Sequence, residues 1–228
     1  MNQNVNLIVV AHPDDEVLGF GGTGAKLAEQ GEIVQPIILC GDVNVRSNRP
    51  TSHDLYNNII DANQLLGFNR PVLGSFPNIK MNTINHLDLV KFIEQQILKF
   101  QPTRIFTHHP SDLNDDHVKT AMACLPAARL FQRQTKVKPL KTIYFMEILS
   151  STDWSFPAVK NNFEPDTFIN ITETLQLKLQ ALSKYNNVMR PAPHPRSNEV
   201  LTSHARSRGA QSGYLFAESF QLVFKREF

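Results

Sequence analysis

Val5-Asn6-Leu7-Ile8-Val9-Val10-Ala11-His12-Pro13-Asp14-Asp15-Glu16 sets a short apolar run directly against one histidine and three carboxylates. The run reads as a strand, and the residues after it read as a polar loop at that strand's carboxyl end. Carboxylates this close oppose one another's ionisation unless a cation or basic group compensates. Histidine with carboxylate is an ordinary ligand set for Zn²⁺. A second cluster, Thr107-His108-His109-Pro110-Ser111-Asp112-Leu113-Asn114-Asp115-Asp116-His117, comes after another short apolar run, Arg104-Ile105-Phe106. Two half-sites, each after a strand, suggest one metal centre.

Working outward, apolar runs at 5–11, 33–40 and 104–107 and the β-rich Thr142-Ile143-Tyr144-Phe145-Met146 alternate with stretches of helical period. That pattern predicts an α/β fold, with a largely parallel sheet flanked by helices in a single domain over residues 1–228. In open parallel sheets ligands gather beyond the carboxyl ends of the strands, so two loops a hundred residues apart can face one crevice. Helices are expected at 22–30, stopped by Gly31, at 52–66, stopped by Gly67, and at 85–100, with another starting near Asp116. A helix capped by the Thr172 hydroxyl should run towards Tyr185. Pro191-Ala192-Pro193-His194-Pro195-Arg196 cannot be regular helix and reads as an ordered loop or lid. The tail from 197 on carries helical and then strand-like pieces.

The chain has 228 residues, 41% of them hydrophobic and 19% charged, enough for one sizeable core. A formal net charge of +2, without a basic block, argues against nucleic acid as a partner. No apolar run approaches the roughly 18 residues of a membrane span, and the N-terminus lacks the basic region of a signal peptide. Cys40 and Cys124 read as buried free thiols, which suits a cytoplasmic location. An isologous dimer is the commonest assembly to expect if the chain oligomerises.

His12 and Asp15 from the first loop and His117 from the second would form a three-ligand site with its fourth position open, which is a catalytic rather than a structural layout. Zn²⁺ is the expected ion, and the same N₂O set suits Fe²⁺. Asp14 is then the natural general base for an attacking water. Asn114 could donate a neutral hydrogen bond to an oxyanion, and Asp116 could orient a ligand imidazole. Glu16 is expected to act structurally, accepting backbone or arginine hydrogen bonds. His108 and His109 are candidates for ligation or proton donation, with His109 on the substrate side; His53, His86 and His204 read as surface residues.

Gly19-Phe20-Gly21-Gly22-Thr23-Gly24 satisfies G-x-G-x-x-G, with Asp42 roughly where a ribose-binding acid would stand. In a dinucleotide site the first glycine turns directly after the strand, whereas here the His12–Glu16 cluster intervenes. The glycines are read instead as close helix-to-sheet packing and room for substrate. A dinucleotide-binding oxidoreductase and a non-catalytic, metal-dependent sugar-binding module stand as the alternatives.

The sequence resembles the PIG-L/LmbE-like zinc-dependent de-N-acetylases over most of its length. The resemblance rests on Ala11-His12-Pro13-Asp14-Asp15-Glu16 with Gly21-Gly22, on Phe76-Pro77, on Thr107-His108-His109-Pro110 through Asp116-His117, and on Pro193-His194-Pro195-Arg196-Ser197 with Arg208-Gly209. It implies a Rossmann-like fold without a nucleotide cofactor, zinc at His12, Asp15 and His117, and Asp14 as base. It also implies removal of the acetyl group from an N-acetylglucosamine-type amino sugar or its conjugate, a small-molecule substrate. Members acting in thiol-cofactor synthesis carry an oxyanion-stabilising histidine where this chain has Asn114. His194 is the substitute candidate for proton donation or substrate contact. The family's substrate-contacting arginine corresponds loosely to Arg46 or Arg49, and Arg196 is a third candidate.

Overall fold

Leu7, Ile8, Val9 and Val10 are wholly inaccessible to solvent, so the run that precedes the polar loop is a strand covered on both faces. The structure is a computed structural model and describes residues 3–41, 50–155 and 162–227. In chain order its elements are β1 (Val5–Val10), α1 (Asp15–Glu29), β2 (Ile33–Ile38), α2 (Ser52–Leu65), β3 (Val72–Leu73), α3 (His86–Phe100) and β4 (Arg104–His108). Next come α4 (Asp115–Ala128), α5 (Leu130–Arg133), β5 (Thr142–Met146), β6 (Thr167–Asn170), α6 (Leu175–Leu182), α7 (Asn198–Ser212) and β7 (Ala217–Lys225).

Among the described residues the strands form one seven-stranded sheet in the order β3-β2-β1-β4-β5-β7-β6. The first five are parallel; β7 pairs antiparallel with both β5 and β6. A parallel sheet needs helices on both faces, and β1 shows it. Ile8 and Val10 join one core with Val17, Phe20, Ile59 and Leu182, from α1, α2 and α6. Leu7, Val9 and Ala11 join the other with Val90, Ile93, Ala123 and Cys124, from α3 and α4. This is the expected α/β architecture.

The chain runs from β1 outward to β2 and β3, then returns to the other side of β1 with β4. Val9 pairs with Ile37 of β2 on one side and Thr107 of β4 on the other, so the loops after β1 and β4 emerge side by side. That reversal of strand order opens a crevice at the carboxyl ends, where ligands of such sheets bind.

Several element boundaries are written in local chemistry. Thr51, Asn85 and Ser197 each cap a helix, accepting from Asp54 N, Leu87 N and Val200 N. Gly31 and Gly67 take positive φ (80° and 72°) just beyond their helices, as a stop signal requires. Two expectations need correction. α1 begins at Asp15 rather than near Gly22, and carries its glycines in its interior. α6 starts after Thr174, whose hydroxyl donates to Gly22 O rather than capping the helix, and ends at Leu182, while the Thr172 hydroxyl accepts from Phe216 N at 3.4 Å.

The glycines of α1 are explained by contact. A β-carbon at Gly19 would stand 2.7 Å from Ile148 Cδ1, at Gly22 2.9 Å from Ile171 Cγ2, and at Gly24 2.3 Å from Phe68 Cζ. The close packing read from the sequence is present; the room for substrate is not, because the chain's own side chains fill it. Beside the same turns lies a buried ion pair. Lys178 Nζ donates to Leu18 O and to Glu218 Oε1 (both 2.7 Å), while the amides of Gly22 and Thr23 donate to the two Glu218 oxygens. No described helix is long and apolar enough to cross a membrane.

Candidate metal centre

His12 and Asp15 are placed by the β1–α1 junction, His117 by the first turns of α4. His12 Nδ1 and His117 Nε2 are 3.2 Å apart, and Asp15 Oδ2 lies 3.4 Å from the first and 3.2 Å from the second. All three side chains are buried. Tetrahedral coordination at 2.0–2.1 Å puts donor atoms about 3.3 Å apart, so this triangle has the size of one face of a zinc coordination shell.

The nitrogens facing away from the triangle are held by carboxylates. His12 Nε2 meets Asp116 Oδ2 at 2.9 Å, and His117 Nδ1 meets Asp112 Oδ2 at 3.2 Å. Outer carboxylates of this kind fix ring orientation and raise ligand basicity at metal sites. Asp116 is itself pinned by the amides of Ile79 and Met81. Asp112 accepts from the hydroxyls of Ser151 and Thr152, which lie beyond β5.

The electrostatics favour a cation. Burial disfavours charge on every member of the cluster, yet the partners outweigh it. Asp15 is held well below the usual carboxylate range, chiefly by His117. His117 is pushed up to about 10 by Asp15 and Asp112, and His12 is raised by its bonds to Asp116 and Asp15. Three carboxylates around two imidazoles leave a place for positive charge at the triangle. The residues therefore fit a zinc-like ion.

Asp14 lies at the entry to α1 with φ 100°, a left-handed conformation that costs a non-glycine residue. Its amide donates to Glu16 Oε2 at 3.1 Å, and its Oδ2 accepts from Arg196 Nη1 at 3.1 Å. Glu16 is structural as expected, but its partners are Asp14 N, Asn63 and Tyr185 rather than an arginine. Burial pushes its carboxyl up to about 7 against those donors.

The other expected residues divide. Asn114 caps α4, its carbonyl oxygen accepting from Asp116 N at 3.0 Å. Arg196, expected against substrate, pairs with Asp14. His109, also expected on the substrate side, is 2% exposed, accepts from Ser111 at Nδ1, and sits edge-on to Phe145 and Phe163. His108 Nε2 accepts from Ala11 N at 2.8 Å, and its ring stacks on His117 at 3.9 Å. Burial and the neighbouring His117 push it down to about 3. His194 is half-buried, its Nδ1 accepting from Arg196 N at 3.0 Å. His204 is not a free surface histidine: its Nε2 meets Glu147 at 2.9 Å. Arg46, Arg49 and Asp42 lie outside the described residues.

Sequence reasoning missed three things. Asp112 sat in the second cluster, but spacing does not separate a turn aspartate from one that orients a ligand. Ser151 and Thr152 carried no signal at all. Cys40, a buried free thiol as expected, groups within 4.8 Å of ligand atoms of His12 and Asp116, a proximity only the fold creates.

The model for PIG-L, described as GlcNAc-PI de-N-acetylase, matches residues 7–128, more than half of the chain and both polar clusters. The chain belongs to the PIG-L family. A relative named probable N-acetyl-alpha-D-glucosaminyl L-malate deacetylase 2, from Bacillus cereus, is 28% identical over 193 residues, covering 79% of this chain and 82% of that one. The N,N'-diacetylchitobiose deacetylase of Pyrococcus horikoshii superposes with a TM-score of 0.78 at 18% identity, over 97% of this chain and 84% of that one. The 4-carboxy-2-hydroxymuconate hydratase GalB of Pseudomonas putida KT2440 superposes with 0.79 at 21% identity, over 99% and 98%. The PIG-L fold therefore hosts more than one chemistry, and the reaction must be argued from the site.

The glycine run also loses its nucleotide reading at this point. It lies inside α1, whereas a phosphate-binding fingerprint needs its first glycine in the turn after β1. Here that turn is occupied by His12, Pro13 and Asp14.

Proposed function

We propose that this PIG-L family member is a zinc-dependent amide hydrolase that removes the acetyl group from an N-acetylglucosamine-type amino sugar or its conjugate. The observation that carries this reading is the His12–Asp15–His117 donor triangle with Asp14 next to it in the chain. Zn²⁺ held by those three residues would act as a Lewis acid on the acetyl carbonyl and acidify the attacking water; Fe²⁺ suits the same donors.

Asp14 takes a proton from the water as its oxygen bonds to the acetyl carbon. The carbon–nitrogen bond then breaks, acetate departs, and the proton held by Asp14 goes to the leaving amine. His194 is held below its ordinary value by burial and by Arg190 and Arg196. With Nδ1 accepting from Arg196 N, its Nε2 carries a proton, which suits it to donate a hydrogen bond to substrate.

The test is acetate release from a panel of N-acetylglucosamine conjugates by metal-loaded protein, with Asp14→Ala alongside. Turnover by the wild type, lost by at least about 10²-fold in a variant that keeps its metal, supports the reading. A variant with near wild-type turnover removes Asp14 as base. Glycan binding without acetate release points to the sugar-binding module, and calorimetric heat with a nicotinamide dinucleotide points to the oxidoreductase.

A further inference from the structure

Arg196 reaches Asp14 across 182 residues of sequence. Its Nη1 donates to Asp14 Oδ2 at 3.1 Å and its Nε donates to Leu149 O at 3.2 Å. Its own amide donates to His194 Nδ1, and the next residue, Ser197, caps α7. The guanidinium is therefore held from the backbone and from its side chain. Its planar fork has a fixed geometry, so fixing Nε fixes where Nη1 points.

The anchor is informative. Leu149 belongs to the segment 148–152, whose Ser151 and Thr152 hydroxyls hold Asp112, the carboxylate on His117 Nδ1. One short segment after β5 thus sets Arg196 against Asp14 and Asp112 against His117. It is clamped in turn, because Glu147, two residues before Leu149, accepts from His204 and Arg208 of α7 and from Ser219 of β7.

Asp14 needs such an arrangement. It is wholly buried, strained in φ and flanked by two further carboxylates, Asp15 and Glu16. The Arg196 guanidinium brings a positive charge against this buried carboxylate at the position a general base must hold.

Resting on the hydrolase reading, we propose that Arg196 is not a substrate contact but a positioning residue, which with the Leu149 carbonyl registers the base Asp14 against the ligand His117. A base displaced by about 1 Å can cost on the order of 10²-fold in rate, and the loss falls on kcat because substrate binding is untouched.

The experiment compares wild type with Arg196→Met and Arg196→Lys in metal-loaded protein. The expected result for Arg196→Met is a kcat lowered on the order of 10²-fold with KM within about twofold and metal content per chain unchanged. Added methylguanidine should restore part of that kcat, and Arg196→Lys, which cannot form the fork, should stay impaired. A KM that rises with kcat unchanged would show a substrate contact, and wild-type kinetics would show an idle surface pair; either overturns the proposal. If the wild type itself releases no acetate, the hydrolase reading fails instead. The pairing is then judged by melting Arg196→Met, Asp14→Asn and the double variant. Shifts non-additive by at least about 2 °C support it, and additive shifts overturn it.

Discussion

His12 Nε2 stands 2.9 Å from Asp116 Oδ2, across 104 residues of sequence, and this contact turns the Nδ1 of the same ring towards Asp15 and His117. Asp112 does the same for His117. On the proposed reading, the metal affinity of the site depends on these two outer carboxylates as well as on the donor triangle. Asp116→Asn and Asp112→Asn should each weaken Zn²⁺ binding about 10- to 100-fold, read by competition with a chromophoric chelator. Affinity unchanged in both variants would mean that the imidazoles are oriented by packing alone.

The buried Lys178–Glu218 pair should matter for stability and not for metal binding. Removing one partner of a buried pair leaves an uncompensated charge. Lys178→Met should lower unfolding free energy by about 3 kcal/mol in urea denaturation, the amides of Gly22 and Thr23 softening a loss that otherwise reaches about 5 kcal/mol. Metal content of the folded variant should equal that of the wild type.

Gly24→Ala isolates the packing role of the glycine run. Alanine would gain up to about 1 kcal/mol of helix propensity, but its methyl would meet the Phe68 ring at 2.3 Å. Overpacking costs about 1–3 kcal/mol, so the net effect should be a lower melting temperature. A raised melting temperature would show that Phe68 moves aside freely.

Glu147 predicts a pH dependence. Burial opposes its charge, but His204 and Arg208 hold its carboxyl down to about 2, against an ordinary value of 4.5. Its folded-state pKa is depressed, so the stability it contributes is fully present above pH 4.5 and is lost as pH falls towards 2. The depression corresponds to roughly 3 kcal/mol at neutral pH. In Glu147→Gln, the fall in stability between pH 4.5 and 2 should flatten relative to wild type, measured by denaturant midpoints across that range. An unchanged slope would assign the acid sensitivity to other carboxylates.

The features legible in the sequence were local. An unbroken apolar run ending in His12-Pro13-Asp14-Asp15-Glu16 announces a doubly covered strand and a polar loop after it, because both depend on neighbours in the chain. Thr51, Gly31 and Gly67 announce helix boundaries for the same reason. The proposed donors His12, Asp15 and His117 could be grouped because each lies in a strand-to-helix junction or the first turn after it, and parallel sheets deliver such junctions to one edge.

Tertiary structure alone decided how those donors are used. Arg196 read as a surface arginine available to substrate, and the position of Leu149 O made it Asp14's partner. His204 read as solvated, and the packing of α7 on β7 put it on Glu147. The glycines of α1 read as close packing, and only the fold named Ile148, Ile171 and Phe68 as the side chains that fill the space read as room for substrate. The division has one physical cause. Propensity, capping and apolar period act over a few residues, whereas the orientation of a buried charge depends on whatever side chains the fold brings within about 3 Å of it.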